Sequence, residues 1–139
     1  LYPENDIGRL SNDLDAIAKA NSPFDLSVSG TGCFPSESKP SVIFLGLSGN
    51  INALSNLVKD TEALLAKRGY PKLESDYFPH ITIARIKYPQ KFSPDVTSFL
   101  NSSYDSIDFR VNRLQFFSSE ILPEGVFYNL LGTFPLADI

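Results

Sequence analysis

The stretch Phe78-Pro79-His80-Ile81-Thr82-Ile83-Ala84-Arg85 decides how this chain is read. It holds the only histidine among 139 residues. In an extended segment successive side chains take opposite faces, so His80 and Thr82 point one way and Ile81 and Ile83 the other. One face of a single strand then presents an imidazole and a hydroxyl roughly 6.5–7 Å apart along the backbone. The other face is apolar and is expected to pack on a core. Pro79 sets its own φ and pushes Phe78 toward extended geometry, which frames how the chain enters the strand. The imidazole is therefore expected on a framed strand rather than on a loop.

The surrounding composition sets bounds. A chain of this length with 42% hydrophobic residues can form one domain spanning residues 1–139. Eleven Phe with no Trp or Met point to a core of Phe, Leu, Ile and Val. The formal charge of −4 argues against holding long nucleic acid by bulk electrostatics, although a few local cations suffice for a small anion. The single cysteine, Cys33, excludes an intrachain disulfide and a Cys-based zinc site, and it suits a reducing compartment, so a cytoplasmic location is expected. No apolar run approaches the ~20 residues needed to cross a bilayer, so no membrane partner is expected.

Working outward, Leu1-Tyr2-Pro3 has no initiator methionine and runs directly into a helical pattern. Leu10, Leu14, Ile17 and Ala18 recur at helical spacing, with Asp6 early and Lys19 late to suit the dipole, which predicts a surface helix over 5–20 with Pro3 and Asn5 at its start. Phe24 to Val28 alternates as a strand with one wet face, and Gly30, Gly32 and the Pro/Ser-rich stretch from Pro35 to Pro40 read as a turn or loop. The Gly30-x-Gly32 pair lacks the third glycine, the Gly-Lys-Ser/Thr ending and the following helix that a phosphate loop needs. Ser41 to Leu47 is apolar on both faces, as in a central strand. Ser48-Gly49-Asn50 offers a cap for a long apolar stripe from Ile51 to Leu65, with Lys67 and Arg68 at its C-terminal end and Gly69 beyond.

After the His80 strand, Ser93-Pro94-Asp95 looks like a helix start, with Val96, Phe99 and Leu100 as the buried side. Ile107, Phe109 and Val111 share one phase of alternation and Leu114 and Phe116 the other, which a bulge near Asn112-Arg113 would produce. Pro123-Glu124-Gly125 turns the chain into a final strand from Val126 to Phe134. There is no internal repeat and no low-complexity tract. The order α-β-β-α-β-α-β-β predicts an α+β fold with a mostly antiparallel sheet and helices packed on its outer side.

A histidine beside a hydroxyl on one strand face can serve as general acid or base, with the threonine donating to a developing oxyanion. A nearby guanidinium can hold phosphate through two parallel hydrogen bonds. Read without further context, a lone histidine in a β-rich chain is more often a packing or surface residue than a catalyst. A metal site has less support, because no carboxylate cluster with ligand spacing accompanies His80, and Cys33 has no evident base to activate it.

The weighing changes because the chain resembles a known family. Phe78-x-His80-x-Thr82-x-x-Arg85 is similar to the C-terminal His-x-Thr motif of the two-histidine phosphoesterases, in the branch of bacterial RNA 2′,3′-cyclic phosphodiesterases, also called 2′-5′ RNA ligases. The resemblance continues through Pro23-Phe24-Asp25-Leu26 to Gly32-x-Phe34-Pro35, through Val42 to Leu47, through Ser118-Ser119-Glu120 to Tyr128, and through Phe134-Pro135-Leu136. It implies a bilobed α+β fold whose mostly antiparallel sheets line a cleft, with two His-x-Thr strands facing each other. It implies a metal-independent enzyme without cofactor that opens cyclic phosphates on RNA ends or nucleotides, with possible reversible 2′-5′ ligation. Carried onto this sequence, His80 becomes one of two acid–base groups, Thr82 a phosphate-contacting hydroxyl and Arg85 a phosphate-binding cation. At an offset of five from His80, Arg85 faces away on a regular strand, so the strand must end, twist or bulge before it.

No second histidine stands in for the first His-x-Thr motif of that family. Leu1-Tyr2-Pro3 resembles the residues that follow that motif, so an N-terminal portion is expected to lie outside this sequence, and the protein is expected to be a monomer when that portion is present. The alternative class is a non-catalytic nucleotide- or RNA-binding module that keeps the cleft without the chemistry. Phe44 and Tyr128 are aromatics able to stack a base, with Phe44 better read as core.

Overall fold

The computed structural model describes residues 5–71 and 77–137. In chain order the elements are α1 (Asn5–Lys19), β1 (Phe24–Phe34), β2 (Val42–Gly49), α2 (Ile51–Lys67), β3 (His80–Arg85), α3 (Thr97–Leu100), β4 (Ile107–Val111), β5 (Arg113–Leu122) and β6 (Gly125–Pro135). The predicted α+β class holds. The chain divides into two compact units: the described residues within Leu1–Phe24, Ala53–Ser75 and Arg110–Ile139, and those within Asp25–Asn52 and Asp76–Phe109.

The second unit is built on a four-stranded sheet in the order β3-β2-β1-β4. β2 is interior to it, as its apolar sequence predicts, and pairs antiparallel with both β1 and β3. Of the residues of β2, however, only Phe44 is fully buried. Phe24, Leu26 and Val28 alternate with exposed or half-buried neighbours, as expected for a strand with one wet face. Where the sequence suggests a turn at Gly30 and Gly32, the structure instead carries β1 on to Phe34. The register with β2 slips between Val28 and Thr31, so two residues of β1, Ser29 and Gly30, oppose the single Gly46. That extra residue is a bulge, and Gly30 supplies its positive φ of 74°, which a side chain would resist. The glycine thus bends the strand where the pattern suggests that it stops.

The bulge also exchanges the faces of β1. Leu26 and Val28 lie opposite Gly49 and Leu47, whereas Gly32 and Phe34 lie opposite Phe44 and Val42. The apolar face through Leu26, Val28 and Leu47 is where the unit packs inward, and Thr31, opposite Leu45, donates its hydroxyl to the carbonyl of Leu100 at 3.2 Å. α3 is a single turn that begins at Thr97 rather than at Ser93-Pro94, because the Asp95 carboxylate accepts from the Thr97 amide at 3.0 Å and starts the turn there. Val96 is buried, and Phe99 and Leu100 are half-buried, as the sequence predicts.

In the first unit α1 packs on the hairpin of β5 and β6. Ala18 is fully enclosed, and Leu10, Phe24, Leu57, Phe134 and Leu136 are the other buried apolar residues among those described in this unit. The backbone amide of Ala137 donates to the carbonyls of Ala18 and Asn21 at 3.1 and 2.9 Å, so the segment after β6 closes the end of α1. α1 and α2 are clipped together at the surface. Arg68 holds Asp13 through Nε at 2.7 Å and Nη2 at 3.1 Å, and the Asn21 side chain reaches Asp60 at 3.1 Å. The expected stop of α2 near Gly69 is met, with the Tyr70 amide closing on the carbonyl of Leu65 at 2.8 Å. Pro3, expected at the start of α1, lies outside the described residues.

One expectation fails at Asn112. The phase change there is a break between two strands in different sheets, since among the described residues β4 joins the four-stranded sheet and β5 pairs with β6. Asn112 lies between them, and its carbonyl accepts from the amide of Leu136 at 2.9 Å. The hairpin turns through Pro123 and Glu124, with Leu122 opposite Gly125.

Candidate functional site

Among the described residues β3 is an edge strand, paired with β2. Gly46 lies opposite His80, Leu45 opposite Ile81 and Phe44 opposite Thr82, after which the register slips and Ile43 lies opposite Ala84 and Val42 opposite Arg85. Ile83 is the residue without a counterpart. It is a bulge in the motif strand, and it decides where Arg85 points. Residues directly opposite each other in a ladder share a face, and Val42, Phe44 and Gly46 share one face of β2. His80, Thr82 and Arg85 therefore share that face too. The offset of five, which puts Arg85 on the wrong side of a regular strand, is corrected by the single extra residue at Ile83.

The strand is held in this state beyond its end. The Ile86 amide donates to the carbonyl of Ser41 at 2.8 Å, and the Tyr88 hydroxyl donates to the carbonyl of Pro40 at 2.8 Å. Ser41 in turn donates to the carbonyl of Phe34 at 2.6 Å. Arg85 is thus fixed between a bulge and an anchored backbone. Its side chain is exposed, and it makes no ion pair among the described residues.

Around the imidazole the face is aromatic. Phe34 and Phe44 stack with centroids 4.5 Å apart, and His80 meets their edges at 5.2 and 5.4 Å. Phe78 lies at 5.9 Å from the imidazole centroid and closes a third side. His80 Nδ1 lies 2.7 Å from the carbonyl oxygen of Phe78. A carbonyl can only accept, so the Nδ1 proton is assigned from that partner, and in the neutral ring the lone pair belongs to Nε2. Nε2 is then the nitrogen free to take or give a proton.

The apolar face expected behind the motif is not covered. Ile81 is 39% exposed and Ile83 52%, while His80 and Thr82 are half-buried. The reason is the edge position: Ile81 has lateral cover from β2 alone, and Ile83 sits in the bulge. The better-covered side of β3 is the one with the imidazole. Sequence reading identified His80, Thr82 and Arg85 as a group but missed the rings that surround the histidine. Their signal was present in the spacing, since Phe78 stands two residues before His80 and Phe34 two residues after Gly32. Phe44, read as core, is buried at 7% exposure and also lines the site, whereas Tyr128 stands 68% exposed on the hairpin. Among the described residues no three of His, Cys, Asp and Glu gather closely enough to hold a metal ion, and no helix is long and apolar enough to cross a membrane.

The comparisons with known proteins agree with one another. The profile of the 2′-5′ RNA ligase superfamily matches residues 2–120. An RNA 2′,3′-cyclic phosphodiesterase of Aquifex aeolicus is 34% identical over 128 residues, covering 89% of this chain and 66% of that protein. One of Methanothermobacter thermautotrophicus is 29% identical over 136 residues, covering 96% of this chain and 72% of that protein. The crystal structure of E. coli LigT complexed with 3′-AMP superposes with a TM-score of 0.72 at 17% identity, covering 99% of this chain and 72% of that one, and so shares the fold. The chain spans about two-thirds of the length of the curated relatives it matches. With a profile match over most of its length, the chain belongs to the 2′-5′ RNA ligase superfamily.

Proposed function

We propose that this chain works in a phosphoesterase that hydrolyses 2′,3′-cyclic phosphates at RNA ends or on nucleotides without a metal ion. In this reading Nε2 of His80 makes one of the two proton transfers, and the Thr82 hydroxyl and the Arg85 guanidinium hold the phosphate oxygens. Water adds to phosphorus, the bond from phosphorus to one ribose oxygen breaks, one proton leaves the water and one reaches the departing oxygen. Charge builds on the non-bridging oxygens as the new bond forms, which is where a hydroxyl donor and a fixed cation act.

The observation that carries the reading is the bulge at Ile83, which gives Arg85 the same face as His80 and Thr82. The names of the relatives supply the substrate class. A free Cys33 suits work in the cytoplasm. His80 is the sole histidine here, so the second transfer belongs to a group this sequence does not contain or to solvent. That same fact favours a second reading, a module that binds the nucleotide and does not turn it over. A cyclic-nucleotide assay across about pH 5–9, on this chain alone and joined to a segment bearing a second His-x-Thr motif, separates them. Hydrolysis with a bell-shaped rate profile in the joined form supports the enzyme. Binding without turnover in both forms leaves the module.

A further inference from the structure

We propose that Gly32 and Phe44 form a positioning pair that sets the orientation of the His80 imidazole. The proposal rests on the reading of His80 as the acid–base group for its functional meaning, though its geometry stands independently.

Gly32 lies directly opposite Phe44 in the ladder of β1 and β2. A Cβ at position 32 would stand 2.3 Å from Cζ of the Phe44 ring, 2.6 Å from Cε1 and 3.1 Å from Cε2. Such separations are well inside van der Waals contact, so the ring lies across β1 only because residue 32 has no side chain. Pressed onto the glycine, the ring is 7% exposed, stacks on Phe34 at an interplanar angle of 29° and turns toward the imidazole at 63°. Phe34 meets the imidazole at 87°, and the Phe78 carbonyl accepts a hydrogen bond from Nδ1–H. His80 thus has rings on its flanks and a fixed acceptor at one nitrogen, which leaves Nε2 a single direction.

An added methyl group at position 32 has no empty space to enter. The tip of the Phe44 ring must lift by roughly 1 Å to reach ordinary contact, and Phe34 and His80 are the rings that receive the push. Displacement on that scale costs an acid–base group about 10²-fold in rate when the reacting atoms no longer align.

The single histidine makes the test direct, because every imidazole signal in the NMR spectrum comes from His80. In Gly32→Ala the imidazole resonances are expected to move and the nitrogen signature of the Nδ1–H tautomer to weaken. Phe44→Leu, which removes the ring but keeps an apolar filler, is expected to do the same. The double variant Gly32→Ala/Phe44→Leu is expected to be no worse than Phe44→Leu alone, since the methyl group then has nothing to strike. In the form that turns over nucleotide, both single variants are expected to lose about 10²-fold in kcat with a much smaller change in KM. If Gly32→Ala does not fold, Phe44→Leu and the double variant carry the same comparison. Unchanged imidazole signals in a folded Phe44→Leu, or additive effects in the double variant, overturn the proposal. Moved signals in this chain, with no turnover even when it is joined to a segment bearing a second His-x-Thr motif, uphold the pair and instead remove the phosphoesterase reading.

Discussion

The sheet face that carries His80 and the hairpin face that carries Tyr128 draw on the same residue types and reach opposite conditions. On the first, Phe34 and Phe44 come from neighbouring strands and cover each other and the imidazole. On the second, Phe117 lies opposite Leu130 and Ile121 opposite Val126, with Tyr128 between, yet their exposures run from 46% for Phe117 to 85% for Ile121. The difference is strand number. In the four-stranded sheet a ring on β2 has lateral neighbours on both sides, whereas in the two-stranded ribbon each side chain has a neighbour on one side only. Apolar content therefore says which residues can be buried, and position within the sheet says which are.

The largest effect that can break the contrast is at His80. In a form that hydrolyses 2′,3′-cyclic nucleotide, His80→Ala is expected to lower kcat by about 10²–10⁴-fold while the thermal midpoint changes little. Near-normal turnover would reduce the aromatic face to packing. A sharper variant keeps every charge and removes one residue. Deleting Ile83 shortens the offset from His80 to four, so regular alternation alone keeps Arg85 on the shared face; inorganic phosphate or a nucleotide product should then bind nearly as well as to the wild type, whereas Arg85→Ala should bind at least ~10-fold more weakly. Titrations that show equal affinity for wild type and Arg85→Ala take Arg85 out of the phosphate site, and a deletion that binds as weakly as Arg85→Ala would show that sharing the face does not suffice to place it.

That deletion also shows what the sequence made legible. Alternation alone put His80 and Thr82 on one face, and the long apolar stripe marked α2 to its last turn. Arg85 looked misplaced because a bulge leaves no composition signal at Ile83, which is an ordinary strand residue. Gly30 was read as a turn because glycine serves turns and bulges alike, and only the partner strand distinguishes them. The aromatic setting of His80 depends on which strands are neighbours. That is a property of topology, which periodicity within one strand does not contain.

On the hairpin side, Ile121→Lys and Tyr128→Ser should change unfolding free energy by no more than about 0.5 kcal/mol and leave phosphate affinity alone. Sedimentation should show less self-association than for the wild type. A loss of stability above ~2 kcal/mol would mean that this face is covered in solution, and the contrast with the four-stranded sheet would close.

The smallest effect concerns acid. A hydrogen bond from Tyr70, then the Arg9 side chain, holds Asp6 below its ordinary value of 3.8, and a hydrogen bond from Arg68 does the same for Asp13. A depressed carboxyl stabilises the fold above its unfolded value and loses that contribution as pH falls through the folded one, so it is complete from neutrality to about pH 5 and fades below pH 4. Both groups are screened by solvent, so the change is small. All these groups lie in the unit with the hairpin. Hydrogen exchange should therefore show α1 and α2 losing protection on acidification before the four-stranded sheet, and Asp13→Asn should flatten that difference. Equal loss in both units would show that these carboxylates contribute nothing specific.

The interleaving of the two units has a consequence for how the chain is made. The four-stranded sheet with His80 ends at Val111, whereas α1, already clipped to α2, waits for the hairpin that follows. On a ribosome α1 therefore emerges well before the hairpin that covers it, and part of its apolar stripe stays open while the four-stranded sheet assembles. Leu10 and Ala18, both buried in the finished unit, belong to that stripe. The amide of Ala137, which bonds the carbonyls of Ala18 and Asn21, joins the two ends of that wait. A chain halted shortly after Val111 should thus present a folded site and a helix without its hairpin, the state in which a holding chaperone would find it.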